Sequence, residues 1–433
     1  MTVNGAMRGA LPLRAACVAS VLAFSGVTSA VAQSPVRQLD ESALPQGLIE
    51  LELPDLLEHY LQTNPPADDA LAEAYRITAA RLRIGSADRA AQLRAVIDRR
   101  DQLIAAHPGH AARGAWLADQ ASDLCLELWP TGGTDALVLC GFAAPAQRAV
   151  AERVAHEVPR LLDAAADAID ARIRELEATP GYRESASLQM QRRRLARDER
   201  DRRLPFLRGL ALTTRAVLDG DAAVARSAAA TLSPLQDVLD GVALDQVRLY
   251  SAIARLVAAE YAAARRQAEL VIEHDEAPAT FQLMAQIVRA RTIAATDGAP
   301  AGRAALDAIA VEPGQLFEQL LVTDGRALIA QAHDASASQS IVSAYLAMLE
   351  AAPASSRAIV RDLVLSRLSA VLDDAVDVAD LPPIATIAQA ESWLRRGEAG
   401  DAEAARSILL EATERRLAAA DDTRIRFLLA HAQ

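Results

Sequence analysis

The chain has 433 residues, a formal net charge of −12 at pH 7, 52% hydrophobic residues and only 3% aromatic ones. This acidic balance disfavours a nucleic-acid partner, because binding to phosphates depends on basic side chains. The length exceeds one compact core and is typical of several domains or of a repeat array. All 45 basic side chains are arginine. The lack of lysine excludes P-loop, Schiff-base and Ser-x-x-Lys chemistry.

The first 32 residues are typical of a secretory signal peptide. Arg8 and Arg14 precede an apolar stretch over Ala15–Phe24, and small residues stand just before Gln33. The apolar run is about half of the roughly 20 residues that a membrane anchor needs. Cleavage removes two arginines and no acidic residue, so the net charge of −12 becomes −14. We therefore expect a periplasmic or secreted protein with no transmembrane anchor after signal cleavage.

The polar stretch 33–48 predicts a flexible leader, and 49–433 predicts an α-helical repeat region with subdivisions near residues 144 and 180. No segment shows the alternation of a strand, so the fold class is all-α. Apolar residues at helical spacing, broken by proline and glycine, predict helices over 53–63, 67–84, 86–106, 111–128, 135–143, 145–179, 182–220, 222–232, 243–274, 277–295, 301–310, 314–333, 338–351, 354–377, 383–396 and 402–430. The segment 182–220 is expected to be interrupted at Pro205.

Two distant stretches share one pattern. Leu212–Leu232 and Trp393–Ala412 both read as a helix, a Gly-Asp turn and a second helix. The glycine can adopt a positive φ at the end of the first helix, and the aspartate can cap the start of the second. Two helices joined so tightly run roughly antiparallel, and each needs neighbours to bury its apolar stripe.

The spacing of Gly220 with Ala225, and of Gly400 with Ala405, resembles that of tetratricopeptide-type repeats. The small residue seven positions before the glycine and the tyrosine four before it, both typical of the family, differ in the two copies. The resemblance implies a superhelical array of antiparallel helix hairpins, an α-solenoid that binds a protein or peptide on its concave face. The alternative is an α-α superhelix that shares only the packing logic.

Cys125 and Cys140 are the two cysteines that remain after signal cleavage. An oxidising compartment favours a disulfide between them, and closing about 15 residues would stabilise the fold by about 3 kcal/mol. The alternative is a pair of buried, reduced thiols in neighbouring helices.

The stretch Arg192–Arg203, RRRLARDERDRR, places seven arginines among three acidic residues. It is a candidate surface for anionic lipid headgroups, sulfated polysaccharide or an acidic protein. The alternative is a solvated helix with i,i+4 ion pairs of Arg194 with Asp198 and Arg197 with Asp201. The candidate binding residues are Arg192, Arg193, Arg194, Arg197 and Arg200.

The sequence predicts no catalytic, cofactor or metal site. His107 and His110 flank a Pro-Gly turn with no adjoining carboxylate or cysteine, which is typical of a surface turn. We therefore expect a non-enzymatic exported scaffold that binds a protein or peptide. The alternative is a secreted all-α enzyme of the carbohydrate-active toroid type, which needs clustered Trp and Tyr and two opposed carboxylates. The 3 Trp and 6 Tyr are scattered along the chain.

Overall fold

A computed structural model of the chain describes residues 43–85, 89–128, 145–311, 315–333, 338–352, 383–397, 400–414 and 419–431, together with 357, 360, 361, 364, 365, 367 and 368. These residues form helices and turns with no strand among them, which confirms the all-α fold class. The predicted signal peptide 1–32 and the predicted helix 135–143 lie outside the described residues.

The described residues form two compact units. The first holds 43–128 and 150–282, and the second holds 145–149 and 283–431. Residue 180, near which a subdivision is predicted, lies within the first unit, and residue 144 lies outside the described residues. The boundary at residue 282 falls inside a continuous helix, Ala279–Asp297.

Most of the first unit is built from α1 (Ala43–Glu50), α2 (Pro54–Thr63), α3 (Asp69–Leu82), α4 (Arg89–Ala106), α5 (Arg113–Leu128), α6 (Pro145–Ala178), α7 (Ala186–Arg193), a π-helical segment (Arg194–Arg203), α8 (Leu204–Asp219), α9 (Ala222–Leu232), α10 (Gly241–Val257) and α11 (Tyr261–Ile272). Next come α12 (Ala279–Asp297), α13 (Ala299–Asp307), α14 (Leu316–His333), α15 (Ser338–Ala351), α16 (Pro383–Arg396), α17 (Asp401–Thr413) and α18 (Ala419–His431).

Helix boundaries follow the predicted breaks in most places, with differences at both ends of the chain. Helix α1 occupies part of the stretch predicted as a flexible leader, and Pro45 lies in its first turn, where a missing N–H costs nothing. Pro205 also lies in a first turn, that of α8, which continues from the π-helical segment without a break. The prediction of one helix over 402–430 is wrong, because α17 ends at Thr413 and α18 begins at Ala419.

The first Gly-Asp turn joins α8 and α9 as the sequence predicts. Gly220 has φ 64° and ends α8 in the left-handed conformation. Asp221 then accepts hydrogen bonds from the backbone N–H groups of Ala223 at 2.7 Å and Val224 at 3.2 Å. These two donors stabilise the ionised carboxylate and lower the pKa of Asp221. One side chain therefore satisfies two of the N–H groups that the start of α9 leaves without a helical partner.

A second hairpin, between α10 and α11, has no glycine or proline at its turn, so the prediction of one helix over 243–274 is wrong. Ala259 takes the left-handed conformation with φ 59°. The Glu260 N–H donates to Arg255 O at 2.8 Å, and the Ala259 N–H donates to Leu256 O at 3.1 Å. This pair of bonds is the Schellman motif, which ends a helix by satisfying its last carbonyls. Ala264, five residues after Ala259, is fully buried.

The second Gly-Asp copy differs from the first. Helix α16 ends at Arg396, and Gly397 follows with φ 69°. Gly400, with φ 95°, is itself the N-cap of α17, and Asp401 is the first helical residue. Asp401 therefore does not occupy the capping position that the sequence predicts for it. Ala405 is nevertheless fully buried, as expected from its spacing after Gly400.

Small residues lie where helices approach most closely. A Cβ atom added to Gly209 of α8 would lie 2.3 Å from Leu232 Cδ2 at the end of α9. In the second unit, a Cβ atom on Gly302 would lie 2.4 Å from Ala294 Cβ and 2.8 Å from Ala290 O. At Gly302 the obstacle includes backbone atoms, so a side chain there would force the two helices apart, whereas at Gly209 the buried side chain of Leu232 would have to shift.

A search of the described residues finds no helix that is long and apolar enough to cross a membrane.

The close packing of the hairpin can be tested at Ala225, which is fully buried against Ala216 and Ala258. We expect Ala225→Leu to lower the free energy of unfolding by about 1 to 3 kcal/mol, because extra methyl groups overpack this crossing. The neighbouring Arg226 is exposed, so Arg226→Ala is the matched control and should cost less than about 0.5 kcal/mol. Urea unfolding and hydrogen exchange of α8 and α9 measure the effect. Full protection in the leucine variant would contradict this packing.

Candidate functional site

The arginine-rich stretch lies across the end of α7 and the π-helical segment. This segment has π-helical backbone bonds from residue i to i+5, yet it forms two i,i+4 ion pairs, Arg202 with Asp198 and Arg203 with Glu199 at 3.3 Å. The predicted pairs of Arg194 with Asp198 and of Arg197 with Asp201 are wrong, since neither forms within this described segment. Asp198 instead faces Arg202, at 3.8 Å.

Four of the seven arginines are held by carboxylates. Arg192 donates to Glu177 at 2.9 Å, and Arg200 donates to Asp201 at 2.8 Å and to Asp170 at 3.3 Å. Glu177 and Asp170 both belong to α6, so these contacts attach the arginine-rich stretch to that helix. Two of the five candidate binding residues, Arg192 and Arg200, therefore already have acidic partners.

Arg203 belongs to the interior. It donates to Asp119 of α5 at 2.5 Å and to Glu199 at 3.3 Å. Burial opposes the charge of Arg203, but Glu199 and Asp119 outweigh it and raise the pKa. Burial likewise opposes the charge of Asp119, and its pKa is nevertheless lowered because Arg203 and Arg100 lie beside it. Both groups stay ionised at neutral pH.

Arg100 extends this network through the first unit. Its side chain is 1% exposed, and it donates to Asp123, which is 0% exposed, at 3.0 Å and to Asp119 at 3.2 Å. Arg81 of α3 lies 2.8 Å from the same Asp123. The network of Arg81, Arg100, Asp119, Asp123 and Arg203 thus connects α3, α4, α5 and the π-helical segment.

Three candidate arginines remain open to solvent. Arg193, Arg194 and Arg197 are exposed, and no carboxylate of the described residues forms an ion pair with them. Met190, 67% exposed, precedes Arg193 by three residues and Arg194 by four, a spacing that places it beside these two on the helix surface. We call Arg193, Arg194 and Arg197 the arginine face. It is the part of the predicted site that the structure leaves available for an anionic partner.

Cys125 is buried in α5, and Cys140 lies outside the described residues. Burial, with a smaller contribution from Asp123, raises the pKa of the Cys125 thiol to about 12. A reduced thiol in this environment is a poor nucleophile, because the thiolate is the reactive form. The bridge between Cys125 and Cys140 stays a prediction.

His110 uses both ring nitrogens in local contacts. Nδ1 accepts the N–H of Ala112 at 3.0 Å, so Nε2 carries the proton and donates to Asp68 at 2.7 Å. The ring also stacks on Trp116, with a centroid distance of 4.3 Å. Over the described part of the chain, no group of three or more His, Cys, Asp or Glu side chains is arranged to hold a metal ion.

A second polar cluster, which the sequence analysis misses, lies where α4, α5 and α6 border a cleft. Asp98 and Asp101 line it from α4, Glu157 from α6 and Gln120 from α5. The only sequence signals are the three-residue spacing of Asp98 and Asp101 and the four-residue spacing of Arg153 and Glu157. Both are common on solvated helices, and nothing in the sequence brings the three helices together.

A buried carboxylate also lies in the second unit. Asp324 of α14 is fully buried, Tyr345 donates its hydroxyl to Oδ1 at 2.5 Å, and Arg367 Nε lies 3.9 Å away. Burial is the largest influence and raises the pKa of Asp324 to about 7, although Arg367 and Tyr345 act in the opposite direction. This aspartate therefore titrates near neutral pH.

Comparisons of the chain with protein-family models, with curated proteins and with solved structures find no match.

The interior role of Arg203 leads to a direct comparison within the arginine-rich stretch. Arg203→Met should lower the free energy of unfolding by roughly 3 kcal/mol, because it leaves Glu199 without its cation and Asp119 with Arg100 alone in a partly buried position. Arg197→Met removes an exposed guanidinium and should cost less than about 0.5 kcal/mol. Urea denaturation of the two variants measures the difference. Equal, small losses would show that the buried network does not hold the π-helical segment.

The raised pKa of Asp324 leads to a prediction about how the stability of the fold depends on pH. Since its pKa is raised in the folded protein, the folded state binds a proton more tightly than the unfolded chain does. The stability that this proton contributes is complete below about pH 4 and is lost as pH rises towards about 7. A displacement of this size corresponds to at most about 4 kcal/mol. Asp324→Asn should flatten this part of the profile, measured by hydrogen exchange of α14 and α15 at pH 4.5 and 7.5. An unchanged slope would contradict the assignment.

Proposed function

We propose that this protein is an exported, non-enzymatic scaffold of tandem helix hairpins that binds a protein or peptide partner. The predicted signal peptide over 1–32 motivates export to the periplasm or the exterior. The observation that supports a repeat scaffold is a shared turn geometry. In three hairpins a residue with positive φ is followed five positions later by a fully buried alanine. The pairs are Gly220 with Ala225, Ala259 with Ala264, and Gly400 with Ala405.

The pair of Ala259 with Ala264 supports the proposal further, because no glycine stands at this turn. Ala259 adopts a conformation that costs a non-glycine residue about 1 kcal/mol or more. Its hairpin nevertheless keeps the same five-residue spacing to Ala264. Strain accepted at a turn indicates that the turn geometry itself is required. This is the expected behaviour of tandem units whose second helices must cross their first helices at one fixed distance.

The arginine face supplies the binding surface in this proposal. Three exposed guanidinium groups lie together on a chain whose net charge is −12, so the surface has the opposite sign to the protein as a whole. A guanidinium forms paired hydrogen bonds with a carboxylate, and the exposed Met190 offers an apolar contact beside it. We therefore propose an acidic protein or peptide as the partner. Insertion into lipid needs a broad apolar or aromatic face, and Met190 alone does not provide one.

The alternative, a carbohydrate-active enzyme, needs two opposed carboxylates and aromatic rings for sugar stacking. Asp101 of α4 and Glu157 of α6 line the same cleft, which is the one observation that favours this alternative. None of the nine residues that line this cleft is aromatic. A scaffold explains the arrangement without further assumptions.

The arginine face is tested with a fluorescent oligoglutamate peptide and fluorescence anisotropy. The wild-type protein should bind the peptide, and 0.5 M salt should abolish binding. Replacing Arg193, Arg194 and Arg197 together by glutamine should weaken it about tenfold or more, because three exposed charge contacts are lost.

The matched control replaces Arg226, Arg266 and Arg406 by glutamine. All three are exposed and lie in other helices, and the change in net charge is the same. This variant should bind as the wild type does. Equal loss in both variants would show a general charge effect and overturn the assignment of the surface. Preferential binding of heparin oligosaccharides or anionic vesicles would overturn the assignment of the partner.

A further inference from the structure

The cleft between α4, α5 and α6 has a volume of about 310 Å³. Its acidic residues are Asp98 and Asp101 on one side and Glu157 on the other. The remaining lining residues are Ile97, Gln120, Leu124, Arg153, Arg160 and Leu161. The volume lies at the lower end of the range that takes a small ligand or a single side chain.

The three carboxylates of the cleft have no cationic partner. Elsewhere in the first unit acidic side chains commonly contact an arginine, yet none of the described arginines comes within 4 Å of Asp98, Asp101 or Glu157. Arg153 also lines the cleft, but it is paired with the buried Glu127. The side chains of Asp98, Asp101 and Glu157 are all exposed to solvent. Desolvation where Asp101 borders the cleft, and after it the charges of Asp98 and Glu157, raise the pKa of Asp101. The arrangement is repulsive in the free protein, and a bound cation would relieve it.

Gln120 provides a second, independent indication of a ligand. Its side chain is 1% exposed and lines the cleft. Nε2 donates to the carbonyl oxygen of Ile97 at 3.4 Å, which leaves Oε1 directed away from that bond. Within the described structure no donor reaches Oε1, although the atom is buried. A buried amide oxygen without a donor is costly, so an N–H group from a ligand would satisfy a need that the chain leaves open.

The acidic residues of the cleft are too far apart to coordinate one metal ion, and this favours a larger organic cation. The described chain holds no group of three carboxylates close enough to coordinate one metal ion. A guanidinium group is planar and extended, and it carries five N–H donors that can reach several acceptors at once. The apolar side chains of Ile97, Leu124 and Leu161 can cover the alkyl stem that carries such a group.

We infer that this cleft binds a guanidinium group on an alkyl chain, with Asp101 and Glu157 accepting its charged hydrogen bonds and Gln120 Oε1 accepting a further one. Asp98 strengthens the negative field at the entrance. Arg160 lines the cleft and forms no ion pair with a described carboxylate, so it is placed to contact a carboxylate on the same ligand. The inference rests on residues separate from the arginine face, and the two proposals can fail independently.

Isothermal titration calorimetry on the full chain tests the ligand chemistry. Agmatine and arginine should bind saturably, whereas citrulline, which replaces the guanidinium by a neutral urea of the same shape, should bind at least tenfold more weakly. N-acetylarginine amide distinguishes the source: affinity equal to that of agmatine indicates an arginine side chain of a peptide, and a clear preference for free arginine indicates the amino acid held through Arg160. Absence of saturation by any guanidinium compound, or equal affinity for citrulline, would overturn the inference.

Variants of the cleft separate binding from folding. Asp101→Asn should weaken agmatine binding about tenfold or more, while it raises the melting temperature of the free protein, because it removes like-charge repulsion. A merely structural aspartate would show the opposite sign in the melting temperature. Asp167→Asn is the matched control, since Asp167 is an exposed carboxylate of α6 outside the cleft, and its affinity should equal that of the wild type.

Gln120→Met tests the buried oxygen, since methionine keeps the length of the side chain and removes the acceptor. It should reduce affinity for agmatine several-fold with an unchanged circular dichroism spectrum. Agmatine affinity equal to that of the wild type in both Asp101→Asn and Gln120→Met would place any binding outside this cleft and overturn the inference.

Discussion

The packing of the first unit depends on how a chain without lysine neutralises carboxylates in its interior. Asp123 is fully buried and would be prohibitively costly as an unpaired ion. Arg100 and Arg81 approach it from two different helices. A guanidinium suits this role because its donors lie in a rigid plane and it is less strongly hydrated than an ammonium group. One buried acid therefore fixes the position of three helices, and moving any of them would leave a charge unpaired in the interior.

The same constraint accounts for the arginine-rich stretch. In sequence its seven arginines look equivalent, but the network already contains Asp119, whose charge must be balanced. Arg203 fills that position from the π-helical segment. A π-helix is rarely longer than one turn, because its backbone geometry is less favourable than that of an α-helix. Within the ten residues of this segment, Arg200 contacts α6 on one side and Arg203 contacts α5 on the other, and Arg192 at the end of α7 adds a further contact to α6. These contacts compensate for the less favourable backbone.

Features of the fold that depend on neighbouring residues are predictable from the sequence. The turn between α8 and α9 depends only on Gly220, which adopts a positive φ, and on Asp221, which caps α9. Both features are predicted from the sequence and present in the structure. Ala225 and Ala405 are buried and the arginines that follow them are exposed, because the helical period alone decides which side faces the neighbouring helix. The turn at Ala259 escapes prediction because its stability comes from packing around Ala264 rather than from a residue that prefers a positive φ.

The candidate sites are less predictable for a related reason. The interior position of Arg203 depends on Asp119, which lies 84 residues earlier in the chain. The unpaired oxygen of Gln120 has no sequence signal, because whether a buried amide finds a donor is known only after three helices have packed. Composition shows that the chain carries many charges of both signs, but it does not show which of them remain unpaired.

The position of the unpaired charges indicates more about binding than the helical fold does. In the first unit, arginines and carboxylates pair at the interfaces between helices, and such pairs mainly specify how the helices pack. The arginine face and the acidic cleft are two groups of exposed charges of opposite sign within that same unit, and the described residues do not pair them. Natural proteins tolerate local repulsion of this kind chiefly where binding relieves it, because each unpaired group otherwise costs stability without any gain. In the proposed scaffold, one basic and one acidic site would distinguish partners by the sign of their charge, because each site favours groups of the opposite sign.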